Sequence, residues 1–171
     1  FFSQRFNFPS PLVPILIDNK VSKDNFELFL EPKIKNFLPD PNIFLDMDKT
    51  VKRIANEIEN KNPIGVFGDY DVDGATSAAL LKLFLQYFGI EVHIHIPDRF
   101  LEGYGPNISA LNSLVSKGSN LIITVDCGIN SHEPLKELNK TNIDCIIIDH
   151  HTPDDDLPPA FSIVNPKRKE L

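Results

Sequence analysis

The chain has 171 residues, 42% of them hydrophobic and 24% charged, which is enough apolar material for one domain with its own core. That balance excludes a disordered, collagen-like or cysteine-rich secreted chain, and no apolar run approaches the ~20 residues that cross a bilayer. A formal charge of −7 argues against simple electrostatic clamping of nucleic acid, and two cysteines suit the reducing cytoplasm.

Residues 1–45 read as an irregular N-terminal extension. Pro9, Pro11, Pro14, Pro32, Pro39 and Pro41 punctuate them, leaving room for a short helix around Asp24–Leu30. From Asp46 the pattern sharpens. Val51, Ile54, Ala55 and Ile58 recur at helical spacing, Asp46 or Asp48 is placed to cap the start, and Asn60–Pro63 ends the helix. Four short apolar runs follow at 64–67, 92–96, 121–125 and 145–148, with 161–164 as a candidate fifth. Helical patterns at 75–88, 108–116 and 132–139 separate them. This alternation predicts an α/β fold of the open doubly wound type, a parallel sheet with helices on both faces, over residues 46–171.

Three runs end in acids or imidazoles. The first enters Gly68-Asp69-Tyr70-Asp71-Val72-Asp73-Gly74, the third Asp126-Cys127-Gly128, and the fourth Asp149-His150-His151. In a parallel sheet these ends share one rim, and the crevice there is the usual ligand site. Several carboxylates at one rim repel, by roughly 4 kcal/mol per pair at 4 Å and an effective dielectric of 20. Divalent cations relieve that repulsion, and an oxygen set with imidazole suits Mn²⁺ or Mg²⁺. Singly, each motif has a plain reading as a solvated turn or a helix cap; their ordered recurrence just past buried strands favours a metal site.

These three motifs resemble the first three of the DHH phosphoesterase superfamily. The form Gly68-Asp69-Tyr70-Asp71-Val72-Asp73-Gly74, together with Ile96-Pro97-Asp98-Arg99-Phe100-Leu101-Glu102-Gly103-Tyr104-Gly105-Pro106-Asn107, resembles its RecJ branch of single-strand-specific 5′→3′ DNA exonucleases. The resemblance implies two divalent ions, Mn²⁺ or Mg²⁺, held by Asp71 and Asp73 with Asp126 bridging and His150 as the imidazole ligand. It implies that His151 approaches the scissile phosphate and that Asp149 orients a histidine by hydrogen bond. Asp69, two residues before Asp71, is a further ligand candidate, since an extended turn would put Asp69, Asp71 and Asp73 on one side. Single-stranded DNA is the implied substrate, in DNA repair and recombination, with single-strand-binding protein as a candidate partner and no membrane role.

Arg99 reads as a phosphate fork or as a surface arginine paired with Asp98 or Glu102. Gly103 and Gly105 imply a special backbone in a substrate-binding loop, and Tyr104 has a base-stacking and a packing reading. Phe67 occupies the slot where the pyrophosphatase branch has a histidine, which favours the nuclease. His93 and His95 share one strand face and read as a polar edge, Cys127 as a small neighbour of the site, and Asp154-Asp155-Asp156 as a turn. Lys167-Arg168-Lys169 reads as a basic surface. The superfamily's fourth motif, a further Asp, and its second domain are expected beyond Leu171, so the segment alone is expected to show weak or no catalysis. Other DHH phosphoesterases, acting on oligoribonucleotides, cyclic dinucleotides or pyrophosphate, and a non-catalytic scaffold are the competing readings.

Overall fold

In a computed structural model the described residues are 2–5 and 7–168. They fall into two compact units, residues 1–40 and 41–171. The first unit carries four short helices, α1 (Phe2–Arg5), α2 (Val13–Asp18), α3 (Phe26–Leu30) and α4 (Ile34–Phe37). Its prolines forbid longer ones, because each removes an amide donor and clashes with the preceding turn. Leu16, Val21 and Phe26 form its small core, with the edge of Phe8 against Phe26 at 5.5 Å.

The second unit is the predicted α/β fold. Helix α5 (Met47–Asn60) leads into β1 (Ile64–Gly68), α6 (Val72–Tyr87), β2 (Val92–His95), α7 (Ile108–Ser116), β3 (Leu121–Val125), α8 (His132–Asn139), β4 (Asp144–Ile148) and β5 (Ser162–Val164). All five strands are parallel, in the order β2-β1-β3-β4-β5. Every residue of β1 and β3 is buried, as their unbroken apolar runs require of strands covered on both sides. One face packs Ile64, Val66, Leu121, Ile123 and Ile146 against α5 and α6. The other packs Phe67, Ile122, Cys145 and Ile147 against α7 and α8.

Asp46 sits at the N-terminal boundary of α5 in a left-handed conformation, but its side chain makes no cap. It accepts instead from the Ile163 amide and the Arg168 guanidinium. Against the opposing cost of burial, those partners hold its carboxyl below the usual range. Arg168 is thereby engaged; Lys169, the last of the basic run, lies outside the described residues.

The strand order fixes where a site can form. The chain moves from β1 outward to β2, then returns past β1 to β3. The crossovers therefore leave on opposite faces at the β1/β3 boundary, and a crevice opens at their carboxyl ends.

Candidate metal centre

The register places the acids. Gly68, Val125, Ile148 and Val164 are paired at one level across four strands. The next residue of each strand is Asp69, Asp126, Asp149 and Asn165, and strands lie about 4.8 Å apart. The ladder continues one step into this row. The amides of Asp69, Asp126 and Asp149 donate to the carbonyls of Val125, Ile148 and Val164, at 3.3, 2.9 and 3.1 Å. All four residues of the row are buried.

Asp71 joins from the start of α6. It is the N-cap of that helix, its carboxylate accepting from the Gly74 amide at 3.0 Å. The helix begins at Val72, three residues before the expected start, and this takes Asp73 out of the row. The period of two that would align Asp69, Asp71 and Asp73 ends where the helix begins, and Asp73 lies exposed in the first turn. Gly74 is buried in the same joint. A Cβ there would stand 2.4 Å from the Asp69 backbone nitrogen and oxygen, so only glycine lets α6 start this close to the end of β1. That close approach, between helix and strand, is the observed use of this glycine.

Two groups of potential ligand atoms result. Asp69, Asp71 and Asp126 offer oxygens within 4.8 Å of one another, and so do Asp126, His150 and His151 with an oxygen and two imidazole nitrogens. Asp126 belongs to both. It sits at φ +62°, a left-handed conformation tolerated by Asp better than by most residues but still strained. His150 Nε2 lies 3.0 Å from its Oδ1, while its Oδ2 is buried and without a hydrogen-bond partner. Burial first, then the neighbouring Asp71 carboxylate, push Asp126 up to about 6. Asp71 moves the other way, held down chiefly by the Gly74 amide. Burial also raises Asp69, whose Oδ1 accepts from the Tyr70 amide.

These residues fit a divalent cation. An orphaned buried carboxylate oxygen, acids pushed toward their protonated forms, and hard oxygens alongside imidazole are the donor set that Mn²⁺ or Mg²⁺ accepts.

Asp149 does not face the metal groups as a ligand. One oxygen accepts from the His150 and His151 amides and lies 2.8 Å from His151 Nδ1; the other accepts from the Ile129 amide. It therefore folds the histidine turn and fixes the His151 ring. Asn165 had no sequence signal beyond its place at the end of the fifth strand. Its amide donates to the His151 carbonyl at 2.9 Å and closes the turn from the other side.

The segment 96–107 arches over Tyr70. Asp98 accepts from the Phe100 and Leu101 amides, and Glu102 accepts from the Asp98 amide and from Asn107 while lying 2.8 Å from His95. With both carboxylates so engaged, Arg99 lies over the Tyr70 ring at 5.4 Å rather than in a pair with either. Gly103 and Gly105, at φ +80° and +78°, present Tyr104 between them. Tyr104 directs its hydroxyl to His151 Nδ1 at 3.2 Å. Phe67 is fully buried and stacks on His95, and Cys127 is a buried thiol raised by burial. His93, His95 and the run 154–156 lie outside both groups of ligand atoms.

The relatives agree with this architecture. The chain is 39% identical over 161 residues to the single-stranded-DNA-specific exonuclease RecJ of Bacillus subtilis, covering 93% of this chain and 20% of that protein. It is 36% identical over 142 residues to the Escherichia coli protein of the same name, covering 82% of this chain and 24% of that one. Among solved structures it resembles exonuclease RecJ bound to manganese, with a TM-score of 0.65 and 36% identity over 71% of this chain and 31% of that one. The Thermus thermophilus RecJ complex with Mn²⁺ gives 0.61 and 32%, over 72% of this chain and 17% of that one. The chain thus spans about a fifth to a quarter of the length of these curated relatives. The sequence profile of the DHH family, N-terminal domain, matches residues 63–171, a stretch that carries β1 through β5 and all the acids of the row, and the chain belongs to that family.

Proposed function

We propose that this chain is the metal-binding part of a 5′→3′ exonuclease that hydrolyses single-stranded DNA, with residues 46–171 as its DHH domain. The observation that carries the reading is the pair of ligand groups that share Asp126. Asp69 and Asp71 with Asp126 would hold one ion, and His150 with Asp126 a second. Bound there, two Mn²⁺ or Mg²⁺ ions supply charge neutralisation at a phosphodiester and a lowered pKa for water. Asp73, in the first turn of α6, lies outside both groups of ligand atoms.

The chain's own residues supply orientation. Asp149 holds the His151 ring, whose second nitrogen is then available as a hydrogen-bonding group for a phosphoryl oxygen. Arg99, with Gly103, Tyr104 and Gly105, forms the loop that meets the strand, the guanidinium serving as the phosphate fork. The left-handed backbone at Asp126 fixes where its carboxylate sits, which favours a preorganised arrangement. Repair and recombination in the cytoplasm, alongside single-strand-binding protein, is the setting this activity fits. Among the described residues no helix is long and apolar enough to cross a membrane.

The test is digestion by the full-length chain of 5′-labelled single-stranded DNA, the same duplex, a diribonucleotide and pyrophosphate, with Mn²⁺ or with chelator. Nucleotide release from the single strand alone, abolished by chelator, is expected. Turnover confined to the diribonucleotide or pyrophosphate would move the chain to another branch of the family.

A further inference from the structure

The loop that meets the substrate is tied to the histidine beside it. We infer that Tyr104 is a positioning residue for His151, which deepens the nuclease reading and rests on it. His151 is only half-buried, its side chain 43% exposed, on a turn outside regular structure. An imidazole so placed has rotational freedom unless it is held. Asp149 grips Nδ1 at 2.8 Å, and Tyr104 Oη stands 3.2 Å from the same nitrogen as a second partner. With the Nδ1 proton given to Asp149 and shared with the phenol oxygen, the ring is held at that nitrogen and Nε2 is left to face the substrate.

The phenol is itself held. The Tyr104 ring meets the His151 ring edge-on at 5.7 Å and 76°, and the Tyr70 ring edge-on at 6.5 Å and 81°. Arg99 lies on Tyr70. Both glycines beside Tyr104 take positive φ, so the backbone is shaped to deliver this one side chain, and the hydrogen bonds of Asp98 and Glu102 lock the loop below it. Tyr70 comes from the loop that carries Asp69 and Asp71, so the same aromatic contacts join the two acids' loop, the substrate loop and the histidine turn. A base-stacking tyrosine needs a free face and no fixed hydroxyl; this one spends its hydroxyl on an imidazole.

The decisive variant is Tyr104→Phe, which keeps the ring and removes the oxygen. In the full-length chain with Mn²⁺ and single-stranded DNA, kcat is expected to fall about tenfold, with KM and the Mn²⁺ dissociation constant within about twofold of wild type. A raised KM at unchanged kcat would return Tyr104 to base stacking and overturn the inference, and so would unchanged kinetics. An equal loss of Mn²⁺ affinity would mean a general collapse of the site and would also overturn it. A second readout does not need turnover. The His151 Nδ1 proton, followed by ¹H–¹⁵N correlation, is expected to broaden in Tyr104→Phe through faster exchange with water. An unchanged resonance refutes the positioning role even if wild type fails to cleave DNA, an outcome that would count against the nuclease reading alone.

Discussion

The two rims of this sheet treat buried acids in opposite ways. At the amino ends of the strands, Arg53 from α5 pairs with Glu57 on its own helix and with Asp144 at the start of β4, the latter at 2.7 Å, and also reaches the Asn120 carbonyl. Glu57 is 3% exposed, and a guanidinium meets it. Burial works against the charge on Arg53, yet its two carboxylates outweigh that and raise it. At the carboxyl ends, Asp69 and Asp126 are as deeply buried, and among the described residues no lysine or arginine pairs with them. There the chain answers with an imidazole beside Asp126 and a strained backbone. Burying an acid is thus affordable in this fold where a fixed cation is built in. Where none is built in, the acids lie side by side in two groups of potential ligand atoms.

The contrast breaks most visibly at Asp126. Asp126→Asn in the full-length chain is expected to lower Mn²⁺-dependent hydrolysis by about a thousandfold, ~4 kcal/mol of transition-state stabilisation, while raising the urea midpoint of the metal-free protein. The second half follows from linkage. A folded-state value raised to about 6 means the native chain binds more protons than the unfolded one, so stability falls as pH rises from about 4 through 6. The variant should flatten that slope; a lower midpoint at pH 7 would show that the acid was not a burden there. Next in size is Arg53→Met. It leaves Glu57 buried without its partner and is expected to cost about 3 kcal/mol by chemical denaturation, with Mn²⁺ affinity unaltered by calorimetry. Coupled loss of both would erase the distinction between the rims. The smallest effect concerns Glu102, whose carboxyl is lowered to about 2 by the Asp98 amide, then Asn107 and His95. Its contribution is fully present above its ordinary value of 4.5 and is lost as pH falls toward 2. Acid titration of loop 96–107, followed by NMR, should therefore show its order melting in that window, and Glu102→Gln should remove the dependence.

The frame was legible because its signals are local. Buried strands need unbroken apolar runs, and residues 121–125 appear as β3 with the limits the run itself has; Ile108–Ser116 and His132–Asn139 likewise follow their apolar spacing. That acids follow three strands could also be read, and parallel pairing then sets Asp69, Asp126 and Asp149 side by side. What escaped depends on three-dimensional detail. The early start of α6 was hidden because Val72 and Asp73 look like turn residues until Asp71 caps the helix. The hydroxyl of Tyr104 and the ring of His151 are 47 positions apart, and no spacing rule links them. The left-handed backbone at Asp126 leaves no mark in a sequence where glycine stands two residues later.

The absent methyl at Gly74 has a consequence beyond sterics. Helix and strand meet there like a keyed joint, with no slack in which one loop could slide on the other. Asp69 and Asp71 keep their spacing through that joint, so any replacement of Gly74 that pushes helix from strand should also pull these two carboxylates apart.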